Sequence, residues 1–414
     1  MRAFHNKKEH RLAKKPGMHR TSDRVAAQYE RHIYPPPLDD LAGKAARDRT
    51  ERGDPKYFSA HLFPEGPPRN NLRILSAGCG TSQAAHLAYN NPECSVTGID
   101  LSESSLAHQK YLAEKHGLKN LRLERSDILD FGKSLERFDL IVCTGVIHHM
   151  EKPEDGLRAL ASVLSPHGAI YAMVYAYAKR VGVYLLQDMF RRLKVGQDDA
   201  GIAFVRKTLK ELPAHHYARW FLPPSIDQIE DAELVDIFLH VQDRAYSVQE
   251  VLDLVSGAGL AFQGWSDNGL YYRDAHINAS SELGLRLAAA TEEDEWSVVD
   301  NLLLHNMRHS FVARHQGDDA PWRVSFEGKD WLRYKPVAHP SLTALPGGKF
   351  RRGTFEFSLT APELALLQAA NGQTTISTIV AAGDRTADRA ERRELAGAFY
   401  RRMWRLGHLF CRTA

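Results

Sequence analysis

A glycine-rich loop and an acidic residue after the next predicted strand give the clearest chemical signal in the sequence. The loop, SAGCGT at residues 76–81, directly follows an apolar segment at 72–75. Glycines allow a sharp turn into a helix and a close approach of the backbone to a ligand. Asp100 ends the next strand, about twenty residues after Gly78, where a carboxylate can accept hydrogen bonds from both ribose hydroxyls. The spacing predicts a nucleoside site.

The loop also indicates what kind of nucleoside would bind. Alone, it could be a plain turn between a strand and a helix, and Asp100 makes the binding role the better interpretation. The loop reads GCGTSQ and lacks the third glycine that packs around a pyrophosphate in dinucleotide sites. A nucleoside without phosphates is therefore favoured over NAD.

These residues need a parallel sheet to position them, and the surrounding pattern predicts one. Strands are predicted at residues 72–77, 95–100, 121–125, 138–144 and 169–175, with helices at 82–89, 103–117 and 153–164. Apolar strands that alternate with helices are typical of a sheet covered on both faces. A capping box at Ser247–Glu250 starts another helix, and candidate strands at 260–265 and 270–272 would add the last, antiparallel element. We expect an α/β fold with a Rossmann-like, seven-stranded, doubly wound sheet.

Four sequence blocks then stand in a recognisable order: ILSAGCGT, GIDLSESSL, RSDILDF, and FDLIVCTGVIHHM with LSPHGAIYAMVY. With them the sequence resembles the class I S-adenosylmethionine-dependent methyltransferases, in particular the broad methyltransferase-11/12-type domain, over roughly residues 72–175. The resemblance implies S-adenosylmethionine as cofactor and S-adenosylhomocysteine as product. The cofactor-binding residues that it implies are Ser76, Gly78, Cys79, Gly80, Asp100, Leu101, Asp127, Ile128 and Thr144.

The resemblance also implies a role for each position. The glycine loop would line the methionine part, Asp100 the ribose, and Asp127 the adenine edge, while Thr144 would lie under the sulfonium. Ser76 stands where the family usually has an acidic residue. One contact to the amino group of the cofactor is then missing or mediated by water.

His148 and His149 follow the fourth predicted strand and are the candidate catalytic residues. A histidine there can remove a proton near neutral pH. The family carries a His-His pair at this place with unrelated substrates, so packing or closure of the cofactor pocket is the alternative. Methyl transfer from a sulfonium depends mostly on proximity and alignment, which lessens the need for a base.

The acceptor is expected to contact residues on both sides of the core. The substrate-binding candidates are Tyr29, Tyr34, Tyr175, Tyr184 and Arg244. Aromatic and basic side chains of this kind can enclose an acceptor by stacking and hydrogen bonding. They could equally form the packing core of the cap and of the insertion.

Six regions follow from these patterns: a basic, flexible arm at 1–21, an N-terminal cap at 22–71, the cofactor-binding core at 72–178, a helical substrate insertion at 179–240, the end of the fold with connecting helices at 241–319, and an accessory domain at 320–414. Residues 1–20 carry seven Lys or Arg against one Glu. This arm is either a solvated tail or an early start before Met18, or it binds nucleic acid or an anionic surface.

The accessory domain is expected to be a small α+β, winged-helix-like unit. Helices are predicted from the capping box at Thr360–Glu363, at 375–380 and at 386–405, and a strand at 408–411. The unit resembles small winged-helix modules that recognise peptides, which would suit a peptide substrate. Its arginines alternate with acidic residues, which favours a partner-binding or homodimer role and makes nucleic acid an unlikely partner.

Cysteine spacing and hydropathy exclude several classes of protein. The four cysteines have no paired spacing, which argues against a disulfide framework or a zinc site and suits a reducing cytoplasm. No apolar run approaches the ~18 residues of a membrane helix, so we expect no membrane insertion.

The sequence therefore predicts a cytoplasmic methyltransferase that acts on O, N or C of a small molecule or peptide and holds no metal. The alternatives are a protein or RNA methyltransferase that docks through the arm and the C-terminal unit, and a non-catalytic regulator that binds the cofactor.

Overall fold

A large mixed sheet forms the centre of the computed structural model, which describes residues 21–43, 53–67, 69–317, 321–383 and 388–413. Its strand order is β3-β2-β1-β4-β5-β8-β7, with β6 beside β5. The strands are β1 Arg73–Ala77, β2 Ser95–Asp100, β3 Leu121–Arg125, β4 Phe138–Thr144, β5 Leu164–Ala176, β6 Ala245–Tyr246, β7 Leu260–Trp265 and β8 Arg308–His315. Strands β1 to β6 run parallel, and β8 is antiparallel to both of its neighbours, β5 and β7. The predicted fold class is confirmed.

Helices cover both faces of the sheet. They are α1 Thr21–Arg31, α2 Pro55–Leu62, α3 Gln83–Asn90, α4 Glu103–His116, α5 Ile128–Phe131 and α6 Pro153–Ser162. Alternate strand residues pack into two apolar cores, with Leu75 and Ile141 on one face and Ile74 and Leu140 on the other. The order reverses between β1 and β4, so a crevice opens at their carboxyl ends, where α/β proteins bind ligands.

The segment after β5 is helical, as expected for the insertion. It contains α7 Tyr177–Arg192, α8 Asp199–Glu211 and α9 Asp231–Phe238, which bury an apolar core of their own. Gly182 permits close packing, since a Cβ there would lie 2.1 Å from the Ala218 nitrogen. Helix α7 therefore rests directly on the 217–220 turn.

The end of the sheet differs from the prediction at one strand. Helix α10, Val248–Gly257, begins with the predicted capping box, and β7 is confirmed. The predicted strand at 270–272 is wrong, because Asn268–Leu270 is a 3₁₀ turn that places Tyr271 and Tyr272 in the core. The strand that pairs with β5 at this end of the sheet is β8, which follows α11 Glu282–Ala288 and α12 Glu292–Leu303.

The C-terminal unit contains the three predicted helices and the predicted last strand. Its elements are β9 Lys335–Ala338, β10 Thr343–Leu345, β11 Lys349–Arg352, β12 Phe355–Ser358, α13 Ala361–Gln368, α14 Ile376–Ala382, α15 Arg389–Arg405 and β13 Leu409–Arg412. Strand β13 pairs with β9, which precedes the helices, and β10 to β12 form an antiparallel sheet that was not predicted. The unit is thus closed by its own first and last strands.

Buried polar contacts join this unit to the loop after β7. Arg352 binds Asp267 through two hydrogen bonds of 2.9 Å, and both side chains are buried. A Cβ on Gly407 would lie 2.5 Å from Asp267 Oδ1, so the two segments touch directly. Within the described ranges, no helix has the length and apolar character needed to cross a bilayer. Residues 1–20 of the predicted arm lie outside the described residues, and its last residue, Thr21, begins α1.

Candidate active site

One cavity of about 1190 Å³ opens at the carboxyl ends of the central strands and continues under the insertion. Ligand sites commonly enclose about 300–1,000 Å³, so this cavity has room for two ligands side by side. Of the residues predicted from sequence, the structure brings to it Tyr29, Tyr34, Gly78, Cys79, Gly80, Asp100, Leu101, Asp127, Ile128, Thr144, His149 and Tyr175. Ser76, His148, Tyr184 and Arg244 do not line it.

The glycine loop has a fixed conformation. Gly78 has φ +67°, and a Cβ there would lie 2.3 Å from Val146 Cγ2. The amides of Gly78 and Cys79 both donate to the Ile99 carbonyl, at 2.8 and 3.0 Å. Only glycine combines this backbone with this contact, and the loop is thereby held open towards the cavity.

Asp100 is held by backbone amides at the end of β2. Its Oδ2 accepts from the Gly80 amide at 2.8 Å and its Oδ1 from the Ser102 amide at 2.9 Å. Burial raises the pKa of the carboxyl, while these two hydrogen bonds act in the opposite direction. A carboxylate has about four acceptor positions, so two remain for hydroxyl donors of a ligand. This arrangement fits the ribose of a nucleoside.

Asp127 caps the short helix α5. Its Oδ1 accepts from the Leu129 amide at 2.8 Å, and the side chain lines the cavity together with Leu101 and Ile128. An apolar slot with an acidic rim can accept a purine base and bind its exocyclic amine.

Ser76 does not line the cavity, which corrects its assignment as a direct cofactor contact. Its fully buried hydroxyl donates to Gln83 Oε1 at 3.0 Å, and Gln83 Nε2 donates to Thr144 Oγ1 at 2.6 Å. Gln83 itself lines the cavity and was missed. The serine therefore acts through the glutamine, which offers the polar surface that an acidic residue would otherwise supply.

Residues of the N-terminal cap close one side of the cavity. Tyr29 and Tyr34 line it, and the Thr81 hydroxyl donates to the Pro35 carbonyl at 3.2 Å. Burial raises the pKa of Tyr34 to about 12, so its hydroxyl keeps its proton.

Asp236 connects the cap, the sheet and the insertion. Tyr29 donates to its Oδ1 and Tyr175 to its Oδ2, each at 2.9 Å, and the carboxylate is almost fully buried. Sequence analysis missed this residue. The available signal was an acidic residue within the apolar run LVDIF at 234–238, since buried acids are rare unless they are paired.

The backbone of Gln242 fixes the tautomers of two stacked histidines. His149 Nδ1 donates to the Gln242 carbonyl at 2.9 Å, which leaves Nε2 as an acceptor. His240 Nδ1 accepts from the Gln242 amide at 3.0 Å, so its Nε2 carries the proton and lies 3.4 Å from the Tyr29 hydroxyl. Burial lowers the pKa of both rings, that of His240 to about 2, and both are therefore neutral.

These two histidines and Asp236 could also be considered as metal ligands, since their donor atoms lie within 4.8 Å of one another. A metal on His240 Nε2 would have to displace the proton that the Gln242 amide keeps there. The geometry favours a hydrogen-bonded cluster over a metal site.

The other histidine of the predicted catalytic pair, His148, and two substrate-binding candidates lie away from the cavity. His148 is fully buried, with its ring 3.9 Å from the Tyr175 ring, so the expectation that it contacts substrate is wrong. Tyr184 faces Asp243 at 3.4 Å. Arg244 binds Glu250 at 2.8 Å and covers Tyr246 at the surface. These three residues can only support the site from outside the cavity.

Sequence analysis also missed Arg180 on α7. It lines the cavity and is buried, and its Nη2 lies 3.5 Å from Asp243 Oδ2. Its spacing of four residues from Tyr184 places both side chains on the same face of α7.

Comparison with known proteins agrees with this geometry. Residues 68–215 match the model of a methyltransferase domain. An uncharacterized protein of Synechococcus sp. is 29% identical over 338 residues, which are 78% of each chain. The ubiquinone biosynthesis O-methyltransferase of Coxiella burnetii is 31% identical over 116 residues, which cover 28% of this chain but 47% of that protein. The chain thus spans about half the length of that enzyme.

Solved structures share the fold. PKMT2 from Rickettsia typhi superposes with a TM-score of 0.62 at 16% identity, over 87% of this chain and 75% of that one. The same protein in complex with AdoHcy gives a TM-score of 0.60 at 16% identity, over 86% and 75% of the two chains. Residues 68–215 therefore belong to a methyltransferase domain, and both structures of PKMT2 share the fold of this chain.

Proposed function

We propose that the protein transfers a methyl group to a nitrogen or oxygen of a small-molecule or peptide acceptor. The observation that carries this proposal is a single cavity with two differently built halves. One half presents the glycine loop, Asp100 and Asp127, and the other presents Tyr29 and Tyr175.

The first half fits the cofactor, which supplies a methyl group activated by its sulfonium. The two acceptor positions left on Asp100 suit the ribose hydroxyls. Asp127 would bind the adenine amine, with Leu101 and Ile128 against the base. Gly78, Cys79 and Gly80 line this half of the cavity, where the methionine chain would lie against their backbone.

The second half can bind and deprotonate an acceptor. His149 lines the cavity and keeps Nε2 unprotonated, so it can accept a proton from an amine or a hydroxyl. Burial lowers the pKa of His149, which keeps it ready as a base although it makes it a weak one. Tyr29 and Tyr175 are held rigidly by Asp236, so they can align the acceptor and exclude water.

Docking of a protein or RNA is less well supported. Several C-terminal arginines already pair with carboxylates of the same chain: Arg352 with Asp267 and Arg405 with Asp274 in the interior, and Arg402 with Glu363 at the surface. We keep the homodimer and the cytoplasmic location as predictions.

The cofactor half is tested by calorimetric titration of AdoHcy into the wild type and D100N. The amide keeps the shape of the side chain but removes its charge, so affinity should fall at least tenfold, since a hydrogen bond to a charged group contributes ~1.5–3 kcal/mol. D155N is the matched control, because Asp155 lies at the exposed rim of the same cavity. Equal affinities for D100N and the wild type would refute the assignment of the cofactor half.

The acceptor class is tested with methyl-labelled S-adenosylmethionine and a cell extract separated by size. We expect label in the fraction of small molecules and peptides. Label confined to large species, and released by protease or by ribonuclease, would instead support a macromolecular acceptor.

A further inference from the structure

Arg180 is a buried cation whose charge is balanced by Asp243, but two of its three guanidinium nitrogens lack a well-formed hydrogen bond. The side chain is 3% exposed and lines the cavity. Its Nε and Nη2 atoms are enclosed and have no hydrogen-bond acceptor. An unused buried donor is costly, and more so on a charged group, so such groups call for an explanation.

Asp243 does not explain them. Its Oδ2 lies 3.5 Å from Arg180 Nη2, longer than the ~2.7–2.9 Å of a charge-assisted hydrogen bond. The same oxygen is near the Gln187 amide nitrogen at 3.2 Å and the Tyr184 hydroxyl at 3.4 Å. Asp243 therefore balances the charge of Arg180, but the Asp243 carboxylate accepts its hydrogen bonds from Gln187 and Tyr184.

Aromatic rings hold the guanidinium in place. Its carbon lies 3.7 Å from the centre of the Tyr175 ring and 5.3 Å from that of Phe221. Tyr175 is itself fixed by Asp236 at 2.9 Å. Because Arg180 lines the cavity, a ligand bound there would meet this fixed guanidinium.

We propose that Arg180 binds a carboxylate group of a ligand in this cavity. A guanidinium that is stacked and partly desolvated is suited to planar oxyanions. Asp236, Asp243 and Glu233 lie close by and disfavour a dianion such as phosphate, so a singly charged carboxylate is the better match. The other cations that line the described part of the cavity, Lys152 and Arg308, are exposed at its rim.

Two sources of the carboxylate share this chemistry, namely the methionine part of the cofactor and the acceptor. The inference rests on the proposed function, because it places one of these two ligands beside Tyr175. It would make Arg180 the residue that selects for an acidic acceptor, or one that orients the cofactor.

The test uses the full chain and three changes. R180K keeps the charge and the pairing with Asp243 but loses the planar group. R180M/D243N removes both charges together, so that no buried charge is left alone. R308M is the control, since it removes an exposed cation from the same cavity.

Each variant is titrated by calorimetry with AdoHcy, with 5′-methylthioadenosine, which lacks the amino-acid part, and with acetate after saturation with AdoHcy. If the carboxylate belongs to the cofactor, both Arg180 variants lose at least tenfold in AdoHcy affinity and less than twofold for methylthioadenosine. If it belongs to the acceptor, AdoHcy affinity is the same in all variants. The wild type then binds acetate with millimolar affinity, and both Arg180 variants bind acetate at least tenfold more weakly.

R308M should stay within twofold of the wild type for every probe. The inference is overturned if neither AdoHcy nor acetate distinguishes the Arg180 variants from the wild type. It is also overturned if acetate alone distinguishes them but acetamide binds the wild type as well as acetate does. Failure of the proposed function is separate, because it would appear as loss of AdoHcy binding by the wild type or as no effect of D100N.

Discussion

Replacing Gly78 by alanine should damage both the stability of the protein and its affinity for AdoHcy. The residue has φ +67°, a conformation that costs an L-residue roughly 1–2 kcal/mol. The added Cβ would lie 2.3 Å from Val146 Cγ2, and such overpacking typically adds ~1–3 kcal/mol. The sum, about 2–5 kcal/mol, is below the ~5–15 kcal/mol that stabilises most domains, so the variant should fold.

Gly117 provides a matched control, since it has φ +63° and no atom within 4 Å of a Cβ. Urea denaturation should show a loss of ~1–2 kcal/mol for G117A, with AdoHcy affinity unchanged. G78A should lose more and bind AdoHcy at least tenfold more weakly, and the double variant G78A/V146A should recover part of the loss. Equal losses in G78A and G117A, or normal AdoHcy affinity in G78A, would refute this account of the loop.

Three further changes test the rest of the site. The pKa of His240 is about 2, far below its ordinary 6.5, so below pH 6.5 only the unfolded state binds this proton and stability falls as the pH decreases. In H240N, the slope of unfolding free energy between pH 6 and 5 should be smaller by ~1.4 kcal/mol per pH unit, and an unchanged slope would contradict the assignment. R352M should cost ~3–5 kcal/mol because it removes the cation that pairs with the buried Asp267 carboxylate, and R352M/D267N should cost less than the single change in denaturation experiments; additive losses would exclude this coupling. D236N offers one acceptor oxygen to two tyrosines, so we expect the free energy of unfolding to fall by ~1–3 kcal/mol. The loss should be smaller when Tyr29 is first changed to phenylalanine. An unchanged loss in that background would disprove that Asp236 holds both tyrosines.

The proposed cofactor half of the site depends on local structure. Gly78 and Asp100 belong to adjacent strand ends, and backbone bonds from Gly80 and Ser102 determine where the carboxylate lies. A short motif carries all of this information, because the turn, the strand end and the ligand contact involve neighbouring residues. These residues line one cavity, and their contacts with the cofactor stay a prediction.

The other half depends on contacts between distant parts of the chain. Asp236 meets Tyr29 across 207 positions and Tyr175 across 61. No local pattern could pair them, and an isolated acidic residue in an apolar helix gives only the hint that it needs partners. His148 shows the opposite error, since a suggestive motif residue is turned into the core behind Tyr175.

The missed strand β8 has a similar cause. It pairs with β5, more than 130 residues earlier, after helices that separate it from β7. Tyr271 and Tyr272 have the composition of a strand, but they pack into the core from a turn. Trp265 stacks on Tyr271 with ring centres 4.0 Å apart, so packing outweighs local β-propensity there.

The two halves of the cavity should therefore respond differently to change. Main-chain bonds fix Asp100 and the loop, so most side-chain substitutions nearby leave their geometry intact. In the acceptor half, one carboxylate from the insertion holds a tyrosine of the cap and a tyrosine of the sheet. Changing a single side chain such as Asp236 there moves residues from three regions at once, whereas the cofactor loop keeps its own support. Acceptor preference can thus be altered by substitutions that leave cofactor binding in place.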